Sequence, residues 1–180
     1  MNDHKVEDVT DLVSPNGTFG RIRPTFDFMK TRLSRWIALG LGSGLSRIAP
    51  GTVGTLFAWI VFALLHPLLA DAGLGVLIVL GLVVGHWAID RTGRDLGAHD
   101  HGAIVWDEIV AFWTVLVVVP ADFASQLTAF LLFRLFDITK PRPIRRIDVQ
   151  WRNATGVLLD DLIAAAYTVL VMAVWTRLFG

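Results

Sequence analysis

Residues 51–70 read GTVGTLFAWIVFALLHPLLA, a stretch without lysine, arginine, aspartate or glutamate. After a turn expected at residues 71–73, a second such stretch covers Leu74–Ile89. A helix needs about 20 apolar residues to cross a bilayer, so the first stretch is long enough and the second is close. Both stretches lack strict alternation of apolar and polar residues, which favours helices over strands.

Three shorter apolar stretches follow, at residues 109–121, 123–133 and 162–175. The first two are split by Pro120-Ala121-Asp122 and are too short to cross a membrane alone, so we expect a short helical hairpin or a partly re-entrant segment. The last reaches about 18 residues if it extends to Phe179 and the Arg177 side chain reaches the interface. The predicted fold is all-α: a polytopic helical membrane protein with about four to five apolar helices.

The overall composition agrees with a membrane protein. The chain is 54% hydrophobic and 18% charged, whereas a soluble domain is nearer ~45–50% apolar and about 25% charged. We expect one domain at residues 31–180, after a mobile tail at residues 1–30 without a secretory signal. The zero formal net charge argues against nucleic-acid binding. The absence of cysteine excludes disulfides, Fe–S clusters and phosphatases with a cysteine nucleophile.

Basic residues predict the orientation in the membrane. The turns around Asp71 and Asp122 contain no lysine or arginine. The segments before the first stretch, after the second and after the fourth are basic, and by the positive-inside rule they face the cytoplasm. Their basic residues are Arg21, Arg23, Lys30, Arg32, Arg35, Arg47, Arg91, Arg94, Arg134, Lys140, Arg142, Arg145, Arg146 and Arg152.

Two acidic doublets open apolar stretches: Asp107-Glu108 before the third and Asp160-Asp161 before the fifth. Helix capping is one explanation, since carboxylates favour the positive end of a helix. One acid suffices for a cap, however, and a second acid beside hydrocarbon is costly unless it is paired. Two doublets brought together would repel each other unless a divalent cation lay between them. Hard oxygen ligands suit Mg²⁺, so we predict a magnesium site at Asp107, Glu108, Asp160 and Asp161.

Residues 41–55, LGSGLSRIAPGTVGT, place glycines, hydroxyls and a proline at the start of an apolar stretch. Such a segment turns tightly and offers backbone N–H groups near a helix start, which attracts phosphate. The pattern matches neither a P-loop nor a dinucleotide fingerprint. A plain helix cap also explains it. The candidate phosphate-binding residues are Ser43, Gly44, Thr52 and Thr55.

Arg134, Asp137 and Lys140 are spaced by three. They share one helix face if the helix continues to Lys140, before Pro141 and Pro143 stop it. A salt-bridged surface would explain this stripe. Beside a magnesium site, the same stripe would hold a phosphate.

Three blocks of sequence together resemble the phosphatidylglycerophosphatase A family, in the family's order and over residues 39–166. The blocks are GSGLS (42–46) with APGTVGT (49–55), HDHG (99–102) with IVWDE (104–108), and FRLFDITKPRPI (133–144) continuing to Asp160-Asp161. The resemblance implies a magnesium-dependent phosphatase of the bacterial inner membrane that converts phosphatidylglycerophosphate, a phospholipid, to phosphatidylglycerol. The family's acidic motif residues would fall on Asp100, Asp107, Glu108, Asp137, Asp160 and Asp161, and its basic ones on Arg134 and Lys140.

The chain departs from the family pattern at several positions. Arg47 stands where proline is usual, and Asn153-Ala154 replaces a glycine pair. Ala111 and Ala165 stand where glycine is usual. Since asparagine tolerates left-handed backbone geometry, we expect the turn before Asp160 to survive.

The expected mechanism is attack on the terminal phosphorus by a metal-activated water, with Arg134 and Lys140 stabilising the developing charge. Asp137 or Asp100 would orient the water as general base, and a phospho-aspartate route stays open. His99 and His101 are further candidate metal ligands, equally explained as polar surface residues.

Other classes of protein would use the same residues differently. A divalent-cation carrier or channel is the main rival, since acids within a membrane often mark ion paths. Against it, the doublets lie at stretch ends on one face and no inverted repeat is apparent. A non-catalytic scaffold and a soluble helical relative of the same fold are further alternatives.

Overall fold

The computed structural model of the chain describes residues 23–142, 144, 150–151 and 153–179, and over this part the chain forms helices without a β-strand. The all-α prediction is thus confirmed for these residues. The helices are α1 (Phe26–Lys30), α2 (Leu33–Ala38), α3 (Pro50–Leu65), α4 (Asp71–Leu96), α5 (Trp106–Val118), α6 (Phe123–Thr139) and α7 (Ala154–Phe179), with a 3₁₀ segment at Gly40–Leu45. Residues 1–22 of the predicted tail lie outside the described residues, as do Pro143, Arg145, Arg146 and Arg152.

Two helices are long and apolar enough to cross a bilayer, Asp71–Leu96 and Ala154–Leu178. The apolar helix α3 is shorter, with 16 residues. On α4, the side chains of Val76, Val79 and Val83 lie three or four residues apart on one face, and each is more than half exposed. An uncovered apolar face of this kind suits lipid better than water.

Helix α5 is the centre of the core and packs against α3, α4, α6 and α7. Ile109, Phe112 and Val115 on α5 have no exposed surface. The Phe112 ring packs on Phe133 of α6, with 5.4 Å between the ring centroids. Because α5 begins at Trp106, this packing holds the acidic doublet at 107–108 against the interior.

The break predicted at residues 120–122 is confirmed, because α5 ends at Val118 and α6 begins at Phe123. Asp122 caps α6: its Oδ1 accepts a hydrogen bond from the Ser125 N–H at 2.9 Å. Helix α6 continues to Thr139, and Lys140 ends it in the left-handed conformation with φ 40°.

The turn predicted at residues 71–73 is wrong, because α4 already begins at Asp71. The connection from α3 lies at residues 66–70 instead. Helix α4 also runs past the apolar stretch to Leu96, where Gly97 with φ 70° ends it. Hydropathy marks only the uncharged centre of this helix, which is why the sequence prediction is too short at both ends.

Helix α7 begins at Ala154, eight residues before the predicted start at Leu162. Asn153 accounts for the early start, since its Oδ1 accepts a hydrogen bond from the Gly156 N–H at 3.0 Å in the pattern of an N-cap. The backbone of Asn153 has no positive φ, so it needs no left-handed tolerance. The doublet Asp160-Asp161 therefore lies inside α7 rather than at its beginning, and capping does not explain it.

Candidate active site

Carboxylates from α5 and α7 meet where the two helices pack together. Asp107 and Glu108 come from the first turn of α5, and Asp161 comes from α7. One oxygen from each of these side chains lies within 4.8 Å of the other two. We call Asp107, Glu108 and Asp161 the acidic triad. The structure thus brings together three of the four predicted metal ligands.

Each member of the acidic triad has one buried oxygen without a hydrogen-bond partner: Asp107 Oδ1, Glu108 Oε2 and Asp161 Oδ2. A buried, unpaired carboxylate oxygen is costly, because it loses water and gains nothing in return. A cluster of such oxygens matches the hard ligand set that Mg²⁺ prefers. The side chains present therefore fit a divalent cation.

The electrostatics of the first doublet agree with this fit. Burial raises the pKa of Asp107 well above its ordinary value, and the neighbouring Glu108 charge adds to the rise. Burial also raises the pKa of Glu108 to about 7, with the Asp137 charge as the next cause. A bound cation would favour the charged carboxylates instead. Protons and a divalent cation therefore compete for the acidic triad.

Arg134 on α6 lies beside the acidic triad. Its Nη1 is 2.6 Å from Asp137 Oδ2 and 3.6 Å from Glu108 Oε1. The same nitrogen donates a hydrogen bond to Thr55 Oγ1 at 3.4 Å. Its Nε is buried without a hydrogen-bond partner. The predicted stripe of Arg134 and Asp137 is therefore a partly buried ion pair at the site, and the guanidinium retains a donor.

Lys140 pairs with only one of the two acids of the second doublet. Its Nζ lies 2.7 Å from Asp160 Oδ2. Asp160 Oδ1 also accepts a hydrogen bond from the Asp161 backbone N–H at 3.0 Å. Asp160 thus forms an ion pair with Lys140, while its neighbour Asp161 belongs to the acidic triad.

The beginning of α3 forms another wall of the site. A Cβ on Gly51 would clash with Glu108 Oε1 and lie 2.9 Å from Arg134 Nη2, so a side chain does not fit there. Thr55, one turn further on, is fully buried and donates its hydroxyl to the Gly51 carbonyl at 2.8 Å. Helix α3 has no side-chain cap, so its first N–H groups are not satisfied by a capping side chain. Such a helix start favours an anion.

The model of the phosphatidylglycerophosphatase A family matches residues 36–176. The chain belongs to this family. It is therefore a phosphatase, and the carrier reading of the acidic doublets is not favoured. The matched range contains the acidic triad together with Arg134 and Lys140.

Curated relatives agree with the family model. A phosphatidylglycerophosphatase A from Haemophilus influenzae is 42% identical over 76% of this chain and 84% of its own length. One from Escherichia coli is 39% identical over 77% of this chain and 83% of its own. A Bacteroides thetaiotaomicron protein, provisionally named a phosphatidylinositol-3-phosphatase, is 37% identical over 80% of this chain and 94% of its own. No solved structure matches the chain.

The glycine-rich segment of this phosphatase is divided between two places. Thr55 contacts Arg134, and Thr52 is the residue after Gly51. Ser43, by contrast, donates its hydroxyl to the Gly40 carbonyl at 2.8 Å within its own turn. A Cβ on Gly44 would clash with the Ala103 carbonyl oxygen, so Gly44 serves the packing of two loops.

The side chains of the HDHG block make other contacts than the side chains of the acidic triad. Asp100 is exposed, and its carboxylate is not among the oxygens that cluster with the triad. His99 Nδ1 lies 4.0 Å from Asp90 Oδ1. His101 Nδ1 accepts a hydrogen bond from the Ala103 N–H at 3.1 Å.

Gly51 is the site residue that the sequence analysis did not single out. It lies in the quoted segment, directly after Pro50 at the start of α3. The backbone conformation of Gly51 does not require a glycine, because its φ is not positive. A glycine that the backbone does not require indicates close packing. The packing partners, Glu108 and Arg134, are known only from the structure.

Proposed function

We propose that this phosphatase hydrolyses the terminal phosphomonoester of phosphatidylglycerophosphate and releases phosphatidylglycerol and inorganic phosphate. The names of the Haemophilus and Escherichia relatives support the substrate. The main support is the acidic triad beside Arg134. Carboxylates with unpaired oxygens can bind a metal ion, and the neighbouring guanidinium can bind a phosphate.

Asp107, Glu108 and Asp161 would hold Mg²⁺. When bound there, the ion would neutralise phosphate oxygens and lower the pKa of a water molecule. In this proposal Asp160, the fourth predicted ligand, would instead position Lys140, whose Nζ lies 2.7 Å from its Oδ2.

Arg134 and Lys140 would bind the transferred phosphate and stabilise the charge that develops on it. Both cations are held by carboxylates, which keeps the long side chains in place when no substrate is bound. The first N–H groups of α3 would add donors from the other side of Glu108.

Asp137 is the better of the two candidates for the general base. It contacts Arg134 at 2.6 Å, and its charge acts on Glu108 more strongly than any other charge does. Asp100 is exposed on the loop after α4. In the proposed reaction, Asp137 orients a water and takes a proton from it as the water oxygen bonds to phosphorus. The bond from phosphorus to the glycerol oxygen breaks, and the leaving oxygen takes up that proton.

We further propose that α4 and α7 cross the bacterial inner membrane and that the site faces the cytoplasm. The support comes from their length, the uncovered apolar face of α4 and the basic segments near the site. The starts of α3 and α5, the end of α6 and the first eight residues of α7 supply the site residues, so these helix ends lie at one side of the fold.

Phosphate release from phosphatidylglycerophosphate in detergent micelles tests the proposal. We expect release with Mg²⁺ and none after a chelator or in Asp161→Asn. Asp71→Asn, an exposed acid at the start of α4, is the matched control and should keep the wild-type rate. Release that survives the chelator, or equal rates for both variants, would contradict the metal site.

The head group is tested in the same assay. Phosphatidylinositol 3-phosphate is the comparison substrate, because the Bacteroides relative carries a name that assigns it that activity. We expect faster release from phosphatidylglycerophosphate, and the opposite order would show that the head-group assignment is wrong.

A further inference from the structure

A cavity of about 410 Å³ lies beside the beginning of α3. Its volume is within the ~300–1,000 Å³ that small-molecule sites usually have. Two segments line most of it, one before α3 and one before α5. The lining residues are Arg23, Pro24, Gly44, Leu45, Ser46, Arg47, Pro50, His101, Gly102 and Ala103.

Both walls of the cavity are followed along the chain by site residues. The first wall ends at Pro50, and the next residue, Gly51, packs against Glu108 and Arg134. The second wall ends at Ala103, four residues before Asp107. The two walls meet where Gly44 packs against the Ala103 carbonyl oxygen. The cavity is therefore lined by the two chain segments that lead into the site residues at the starts of α3 and α5.

The charge of the cavity is positive. Arg23 and Arg47 line it, and no carboxylate does. Within the described residues, neither arginine has a carboxylate within 4.0 Å, whereas Arg134 and Lys140 each have one. Ser46 is occupied by its own turn, because its hydroxyl donates to the Ile48 carbonyl at 2.8 Å. His101 also lines the cavity, and its Nδ1 accepts a hydrogen bond from the Ala103 N–H. The guanidinium groups of Arg23 and Arg47, both exposed, are the permanently charged groups of the lining.

The proposed substrate carries a second anion that the acidic triad does not use. Beyond the terminal phosphate, a glycerol unit leads to a phosphodiester that joins the head group to the lipid. A substrate with its terminal phosphate at Arg134 must place this phosphodiester a short distance away. The cavity begins one residue from Gly51, and guanidinium groups bind phosphate oxygens well.

We propose that in this chain, where Arg47 replaces the proline usual in the family, the cavity binds the phosphodiester of the substrate through Arg47 and Arg23, and so favours lipids that carry both a phosphodiester and a terminal phosphomonoester. This inference rests on the proposed function. It assigns the two arginines to substrate selection rather than to the chemical step, since Arg134 pairs with Glu108 while neither Arg47 nor Arg23 pairs with a described carboxylate.

Initial rates on two lipids test this selection. Phosphatidylglycerophosphate has both phosphate groups, whereas phosphatidate has only the phosphomonoester. We expect Arg47→Gln to lower kcat/KM for the first lipid by roughly tenfold, the effect of losing one charge-assisted hydrogen bond, and to leave kcat/KM for phosphatidate unchanged. Arg23→Gln should act in the same direction. Arg91→Gln, an exposed arginine on α4, is the control and should change neither value. Equal losses on both lipids in Arg47→Gln would overturn the proposal.

Binding of the deacylated head group separates this inference from the proposed function. Its phosphodiester and phosphomonoester give separate ³¹P resonances. The chemical shift of the phosphodiester resonance should change with wild-type protein and much less with Arg47→Gln, whether or not phosphate is released. Phosphate release with an unchanged phosphodiester shift would overturn the cavity assignment and leave the proposed function standing. A changed phosphodiester shift without phosphate release would overturn the proposed function and leave the cavity as a site for phosphodiesters.

Discussion

The two acidic doublets look alike in the sequence but differ in the fold. Asp107 and Glu108 lie in the first turn of α5, and both join the acidic triad. Asp160 and Asp161 lie inside α7, where consecutive side chains point about 100° apart. Only Asp161 joins the triad, and Asp160 binds Lys140. Adjacency on a helix therefore does not assign two acids to the same site, because the first doublet stays together while the second is divided.

The largest expected effect on activity comes from substitutions in the second doublet. Asp161→Asn removes a triad carboxylate and should lower kcat by about 1,000-fold or more. Asp160→Asn removes only the partner that positions Lys140, so we expect a loss of about 10–100-fold. Phosphate release from phosphatidylglycerophosphate at saturating Mg²⁺ measures both. Equal losses in the two variants would show that the doublet is not divided in this way.

The next effect concerns the first doublet. Gly51→Ala introduces a Cβ against Glu108 Oε1 and near Arg134 Nη2, so both side chains must move. A displacement of that order costs about 100-fold in rate. Gly75→Ala on α4, where an added Cβ meets nothing within 4 Å, is the matched control and should keep full activity. Similar activity in the two variants would contradict the close approach of α3 to Glu108.

The pH dependence of stability tests the burial of the first doublet. The pKa of Glu108 is raised from 4.5 to about 7, so between these values the folded, metal-free protein binds more protons than the unfolded chain. Stability without metal is therefore expected at low pH and should be lost as pH rises through this window. Thermal unfolding with chelator at pH 5.5 and pH 8 measures the loss. Mg²⁺ should stabilise more at pH 8, and Glu108→Gln should flatten the dependence. A metal-free protein that is more stable at pH 8 would contradict the burial.

The smallest effect concerns how α7 begins. Asn153→Ala removes the N-cap and should cost about 1 kcal/mol of unfolding free energy. The unfolding midpoint should fall by about 2–4 °C, with phosphatase activity kept at moderate temperature. Asn153→Asp retains an acceptor oxygen and is the control. An unchanged midpoint in Asn153→Ala would show that this cap does not stabilise α7.

Much of the architecture is legible in the sequence. Long uncharged stretches predict helices, and Pro120-Ala121-Asp122 predicts the break between α5 and α6. The helix ends are less legible, since hydropathy stops at the first charge. Helix α7 includes the charged doublet because Asn153 caps it and Ala154 is buried.

The site can be predicted from the sequence only in part. The acid types and their spacing indicate a metal site, and three of the four predicted ligands do cluster. The division of Asp160 from Asp161 depends on where α6 ends, since Lys140 reaches Asp160 from that end. No local pattern contains that information, because the lysine and the aspartate are 20 residues apart.

Metal binding by Asp160→Asn and Asp161→Asn shows whether the second doublet is divided between a metal site and Lys140. Mn²⁺ is a suitable probe, since it accepts the same oxygen ligands as Mg²⁺ and its free form has a strong electron paramagnetic resonance signal. Purified protein in detergent is titrated with Mn²⁺. We predict that wild-type protein and Asp160→Asn deplete the free Mn²⁺ signal and that Asp161→Asn does not. Binding by Asp161→Asn equal to that of wild type, or loss of binding in Asp160→Asn alone, would contradict the assignment of Asp161 to the metal site.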